Sequence, residues 1–132
     1  QRHCRLEILE LPEQRLPESP VQGEIDAALE KEAAAIREKL PKGCALVAMC
    51  IEGQLLSSED LSRRLMRFSL EGKSHLVFLI GGSFGLHASL KAQADLRLSM
   101  SPMTFPHHLA RVMLLEQLYR AYQIQEGTRY HK

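Results

Sequence analysis

His75-Leu-Val-Phe-Leu-Ile-Gly-Gly-Ser-Phe-Gly85 is the stretch on which the fold turns. From Leu76 to Ile80 every residue is apolar. A strand with no polar face must be covered on both sides, which is the situation of strands in parallel sheets. The run passes directly into glycines, so the chain leaves the sheet through a tight loop. Upstream, Cys44-Ala-Leu-Val-Ala-Met-Cys-Ile51 is a second nearly continuous apolar run and predicts a second doubly covered strand.

Between these strands Ser57-Ser58-Glu59 opens a helix reaching about Leu70, with Ser57 or Ser58 as N-cap and Leu61, Leu65 and Phe68 on its inner face. Gly72 ends it. Beyond the glycines a short helix from about Ala88 to Ala94 precedes a brief strand, Leu96 to Met100, and a long helix runs from about His107 to Ile124. Toward the start, Ile25, Ala28, Leu29, Ile36 and Leu40 recur at helical spacing across Glu24–Leu40. Residues Cys4 to Leu11 alternate and read as a strand stopped by Pro12. Alternating strands and helices predict an α/β domain with a largely parallel sheet.

The 132 residues suit one domain spanning 1–132. A chain 45% hydrophobic and 25% charged has the make-up of a soluble globular protein, with little room for a disordered tail. A formal net charge of +1 lacks the excess of most phosphate-binding domains, so any RNA contact must come from local clustering. Cys44 and Cys50 lie about 20 Å apart on an extended chain and cannot pair. The odd cysteine count, the absence of a CxxC pair and the absence of a leader predict a reducing, cytoplasmic setting. No run approaches a membrane span, and no metal-ligand spacing is present. Leu109, Val112, Met113, Leu114, Leu115, Leu118, Tyr119 and Tyr122 cover well over half of the last helix, which favours a homodimer packed on one side of it.

Ligands of parallel α/β sheets collect at the carboxyl ends of strands, which selects the loops at Ile51–Gly53, Gly81–Gly85 and Ser101–Pro106. The glycine loop lacks the G-x-G-x-x-G order, because position 80 is Ile, and no P-loop lysine follows. It is either a tight turn or a place where backbone approaches a flat ligand. Met100, Met103 and Phe105, interleaved with Ser101 and Thr104, make a polarizable wall suited to an adenine ring, although such a wall is more often core. Pro106 starts the last helix and puts His107 in its first turn, where the helix dipole favours a neutral imidazole able to accept a proton. Arg111 follows one turn later, and Arg120 has Glu116 four residues before it, the spacing of an ordinary helical ion pair. Arg129-Tyr130-His131-Lys132 combines cations with an aromatic ring, either an RNA-contacting tip or a plain basic terminus.

Leu79-Ile-Gly-Gly-Ser-Phe-Gly-Leu86, Leu98-Ser-Met-Ser-Pro-Met-Thr-Phe-Pro-His107, Arg111-Val-Met-Leu-Leu-Glu-Gln-Leu-Tyr-Arg-Ala121 and Tyr130-His131-Lys132 together resemble the ribosomal large subunit methyltransferase H group of the SPOUT superfamily. The resemblance implies an α/β trefoil knot that holds S-adenosyl-L-methionine, with a site completed across a homodimer. It implies methylation of N3 of a pseudouridine in large-subunit (23S) ribosomal RNA on assembled ribosomes, without a metal. Carried onto this chain, it assigns Met49, Gly81 and the loop Met100, Ser101, Pro102, Met103, Thr104 and Phe105 to the cofactor. It assigns His107, Arg120, Tyr130 and His131 to the methyl acceptor.

Two departures stand out. The family's first strand and helix, which precede the stretch at Cys4, are missing from this sequence, and Met49-Cys50 stands where many relatives have Leu and an acid. A non-catalytic RNA-binding or assembly dimer with the same fold is the alternative, marked by failure to bind S-adenosylmethionine. An unknotted flavodoxin-like nucleotide domain is a third reading, against which the missing lysine and acid argue.

Overall fold

A computed structural model of the chain describes residues 7–131. Its elements in chain order are α1 (Gln22–Lys39), β1 (Ala45–Leu55), α2 (Ser58–Leu70), β2 (Leu76–Leu79), α3 (Ala88–Gln93), β3 (Leu96–Ser99) and α4 (His107–Gln125). The three strands form one parallel sheet in the order β2-β1-β3. The α/β class and the parallel sheet are as the apolar runs predict.

β1 is central, which explains why its first half has no polar residue. Successive side chains of a strand point to opposite faces. Ala45 and Val47 pack with Leu61, Leu65, Phe68, Leu96, Leu98 and Ala121, under α2 and α4. Leu46 and Ala48 pack with Ala33, Leu79, Leu86 and Leu90, under α1 and α3. Ala33, Ala45, Ala48 and Ala121 are all fully buried, and their small side chains let helix and sheet backbones approach closely.

Side-chain hydrogen bonds fix the layers. Ser57 caps α2 by accepting from the Asp60 amide at 3.0 Å, as its position before the helix predicts. The Asp95 carboxylate accepts from the Leu46 amide at 2.7 Å and the Asp95 amide donates to the Leu46 carbonyl at 2.8 Å, so the chain entering β3 is pinned to β1. The buried Ser62 hydroxyl donates to the Ala121 carbonyl at 2.8 Å and ties α2 to α4.

Two expectations change. Cys4 to Leu6 lie outside the described residues, and Glu7–Leu11 form no strand. Ile8 and Leu9 are exposed, and β1, β2 and β3 leave this segment without a ladder partner among the described residues. Alternation alone does not make a strand when no backbone pairs with it. β1 also continues past Ile51 to Leu55, where a loop was expected. It does so by slipping: Met49 and Gln54 both align with Leu98, so the residues between them bulge from the ladder. Gly53 permits the return, because a Cβ there would lie 2.7 Å from the Arg97 carbonyl carbon.

Candidate active site

Because the strands are parallel, their carboxyl ends lie along one edge of the sheet, with Met49 on the central strand, Gly81 just past β2 and Met100 just past β3. Neighbouring strands are about 4.8 Å apart, so the two outer loops face each other over about 10 Å. That edge is the position at which α/β sheets bind ligands. The three segments assigned to the cofactor by resemblance thus share one edge of the fold.

The glycine loop is a closed turn. The Gly85 amide donates to the Gly82 carbonyl at 3.1 Å, and Gly85 has φ +78°, which favours glycine. A Cβ on Gly81 would lie 2.5 Å from the Gly85 carbonyl carbon, so the turn itself demands glycine there. The Glu13 carboxylate accepts from the Ser83 amide at 3.2 Å on the outer side of this turn. A cavity of about 160 Å³ lies beside that contact, lined by Glu13, Leu16, Leu29, Glu32 and Phe84 among others. It is smaller than the roughly 300–1,000 Å³ usual for ligand pockets, and no residue of the Met100–Phe105 loop lines it.

The loop after β3 is shaped by its own serines. Ser99 Oγ donates to the Ser101 carbonyl at 3.0 Å, and Ser101 Oγ accepts from the Met103 amide at 3.0 Å. With the loop so held, Met103 is 70% exposed and Phe105 half-buried, leaving apolar, polarizable surface uncovered. Pro102 and Thr104 are exposed beside them. Cys50, next to Met49, has its thiol pushed up by burial and by the neighbouring Glu52 carboxylate, so it stays a neutral thiol there.

The acceptor-side residues divide into two places. His107 is the first residue of α4, exposed, with its ring 4.1 Å from that of His108. Arg111, one turn on, is bridged to Glu10 at 2.6 Å, and the Arg111 hydrogen bond and charge hold the Glu10 carboxyl below its usual range. Arg120, Tyr130 and His131 are at the other end of the helix. Thirteen residues of α-helix separate His107 from Arg120, about 20 Å along the axis.

At that far end the tail folds back on α4. Gly127, at φ +70°, donates to the Ile124 carbonyl at 3.0 Å, and the Thr128 amide donates to the Gln123 carbonyl at 3.1 Å. This is a Schellman termination, which reverses the chain after one left-handed glycine. Arg120 donates to both Glu116 oxygens, Nε at 3.2 Å and Nη2 at 2.9 Å. Tyr130 donates its hydroxyl to Glu116 at 2.7 Å, and its ring lies 4.9 Å under the Arg120 guanidinium and 4.9 Å edge-on to Tyr119. Arg120 Nη1 is 3.0 Å from His131 Nδ1, and His131 Nε2 is 3.0 Å from Glu59 Oε2.

The electrostatics follow the contacts. The Arg120 and Tyr130 hydrogen bonds hold the Glu116 carboxyl below its ordinary value, and the same carboxylate pushes the Tyr130 phenol and the Arg120 guanidinium up. Tyr130 is therefore a phenol and Glu116 a carboxylate at neutral pH. The ion-pair spacing of Glu116 and Arg120 is realised, but as one edge of a larger network. Glu59, as a partner of His131, and Gly127 are what reading the sequence for chemistry passes over; a glycine just past a long helix is the signal for the second.

A parallel α/β sheet with three loops at the carboxyl ends of its strands is the architecture in which ligands collect along that edge. Residues 1–131 match the family model described as "Predicted SPOUT methyltransferase". The chain belongs to the SPOUT methyltransferase family, and membership carries with it the knotted α/β fold. Among its curated relatives, it is 43% identical over 131 residues to the ribosomal RNA large subunit methyltransferase H of Acetivibrio thermocellus, covering 99% of this chain and 82% of that one. The protein of the same name from Moorella thermoacetica is 45% identical over 130 residues, covering 98% and 81%. That from Clostridioides difficile is 43% identical over 131 residues, covering 99% and 82%.

Proposed function

We propose that this chain is a cytoplasmic homodimer that methylates N3 of a pseudouridine in large-subunit (23S) ribosomal RNA, on assembled ribosomes, with S-adenosyl-L-methionine as donor. The observation that carries the reading is the juxtaposition of Arg120, Tyr130 and His131 in one hydrogen-bonded cluster on the reversed tail. The relatives of 43% and 45% identity are ribosomal RNA large subunit methyltransferases, which supports the substrate class.

Met49, Gly81 and the loop Met100, Ser101, Pro102, Met103, Thr104 and Phe105 hold the donor in this reading. The open apolar surface of Met103 and Phe105 fits a flat adenine, and the Gly81 turn lies on the same edge of the sheet. When bound, the donor supplies a methyl carbon on a sulfonium, a good leaving group. The protein's part is then to align the acceptor and to take the N3 proton. Of the candidates for the proton, His107 and the Tyr130-His131 pair, His107 is favoured, because the Tyr130 phenol already donates to Glu116 and His131 is held between Arg120 and Glu59. Arg120 faces the anionic base, its remaining N–H donors free of Glu116 and His131.

Dimerisation serves two ends. Leu109 and Val112 leave apolar surface exposed on α4, with Val112 60% exposed, and a second copy would cover it. It would also allow His107 of one protomer to approach the acceptor cluster of the other, which a single helix keeps about 20 Å apart. The test is calorimetric titration with S-adenosylmethionine alongside solution mass, followed by methyl transfer to ribosomes. Saturable binding by a dimer with transfer to 23S RNA is the expected result. A folded dimer that binds no donor would overturn the catalytic reading in favour of a non-catalytic RNA-binding protein.

A further inference from the structure

The His131 ring is contacted at both nitrogens, and the two partners together dictate its state. Arg120 Nη1, 3.0 Å from Nδ1, has protons to give and no lone pair, so Nδ1 accepts. The ring proton is then on Nε2, which donates to Glu59 Oε2 at 3.0 Å. Glu59 suits that part. It stands in the first turn of α2, behind the Ser57 cap, where exposed amides favour a carboxylate. The His131 hydrogen bond and its own backbone hydrogen bond hold its carboxyl below the usual range.

We propose that Glu59 is a positioning residue for methyl transfer, fixing the Nε2–H tautomer and plane of the His131 ring and, through Nδ1, the direction in which Arg120 presents its guanidinium to the acceptor base. The proposal rests on the reading of Arg120 and His131 as acceptor-side residues. Glu59 reaches the cluster from the neighbouring helix α2, 72 residues from His131. Glu116 and Glu59 thus hold the cluster from two directions, one gripping Arg120 itself and the other gripping it through an imidazole. While both ring contacts stand, the His131 lone pair is committed to Arg120, so the ring orients Arg120 rather than taking the N3 proton.

The experiment compares Glu59→Ala, Glu59→Gln, His131→Ala and the double variant Glu59→Ala/His131→Ala. It measures kcat and KM for ribosomes, donor affinity by calorimetry, and melting temperature. Glu59→Ala is expected to lower kcat roughly tenfold, the lower end of what losing an orienting partner costs, with donor affinity and melting temperature unchanged because the contact is partly solvated. Glu59→Gln keeps an oxygen that accepts from Nε2–H and is expected to recover most of the loss. The double variant is expected to be no slower than His131→Ala. Full rate in Glu59→Ala beside a slow His131→Ala would overturn the positioning role alone. So would losses that multiply in the double variant, or a Glu59→Gln as slow as Glu59→Ala. Full rate in His131→Ala would overturn the acceptor-side reading beneath it.

Discussion

Replacing Gly81 by alanine tests whether the glycine loop must be closed for the donor edge to exist. The new Cβ would lie 2.5 Å from the Gly85 carbonyl carbon, 2.6 Å from its oxygen and 2.7 Å from its Cα. Carbon atoms rest at about 3.5 Å or more, so the two arms of the turn must part by about 1 Å. All three obstructing atoms are main chain, and no side chain can rotate away. Overpacking of this kind costs about 1–3 kcal/mol, and opening the Gly82–Gly85 hydrogen bond adds about 1 kcal/mol. Gly81→Ala should therefore melt several degrees below the parent. Donor binding should weaken by roughly tenfold or more, since displacements of about 1 Å in a site are costly. The neighbouring change supplies the control, because the atoms nearest a Cβ at Gly82 are the flexible carboxylate end of Glu13. Melting followed by circular dichroism, with calorimetry for the donor, separates the two variants. If Gly81→Ala melted and bound like Gly82→Ala, the claim that backbone closure dictates this glycine would be refuted.

His107→Ala should leave donor affinity intact and lower methyl transfer; undiminished transfer would remove His107 from the chemistry. Leu90, 1% exposed between α3 and the sheet, should cost about 2–5 kcal/mol when changed to Ala, read by urea denaturation, and a loss below about 1 kcal/mol would mean the α1–α3 face is loosely packed. Glu116 has a folded-state pKa below its ordinary value of 4.5, held down first by Arg120 and then by Tyr130, so its contribution is complete above that value and is lost as pH falls through the folded one. The ring signals of Tyr130 in NMR should accordingly shift as acid releases its hydroxyl, and a Tyr130 environment that stays constant while the Glu116 carboxyl itself is seen to titrate would contradict the network.

The class of the fold was legible where burial is symmetric. Ala45 to Ala48 are buried on both faces, so no polar residue interrupts them and the run announces its own setting. The continuation of β1 to Leu55 was not, because Glu52, Gly53 and Gln54 look like a loop. What makes them strand is Gly53 lying against Arg97 on a segment far along the chain. The alternation at Glu7–Leu11 misled for the converse reason, being a local pattern that needs a non-local partner. At the site, Pro106, His107 and the Glu116–Arg120 spacing are local and readable. The His131–Glu59 contact joins residues 72 apart and leaves no trace in any window of sequence. The resemblance supplied the list of acceptor residues and the predicted helix already set His107 and Arg120 at its two ends, whereas the return of Tyr130 and His131 onto Arg120 required the structure.

That division has a genetic consequence. In a homodimer whose composite site draws His107 from one protomer and Arg120 from the other, a mixed dimer of His107→Ala and Arg120→Ala protomers carries both lesions in one site and none in the second. Random reassortment makes about half the dimers mixed, so about a quarter of the parental activity should return on mixing two inactive preparations. Restored methylation after co-expression, absent from either variant alone, is the measurement. Two alleles that each fail singly would then sustain the modification together, because what α4 holds apart within one chain the proposed dimer would reunite between two.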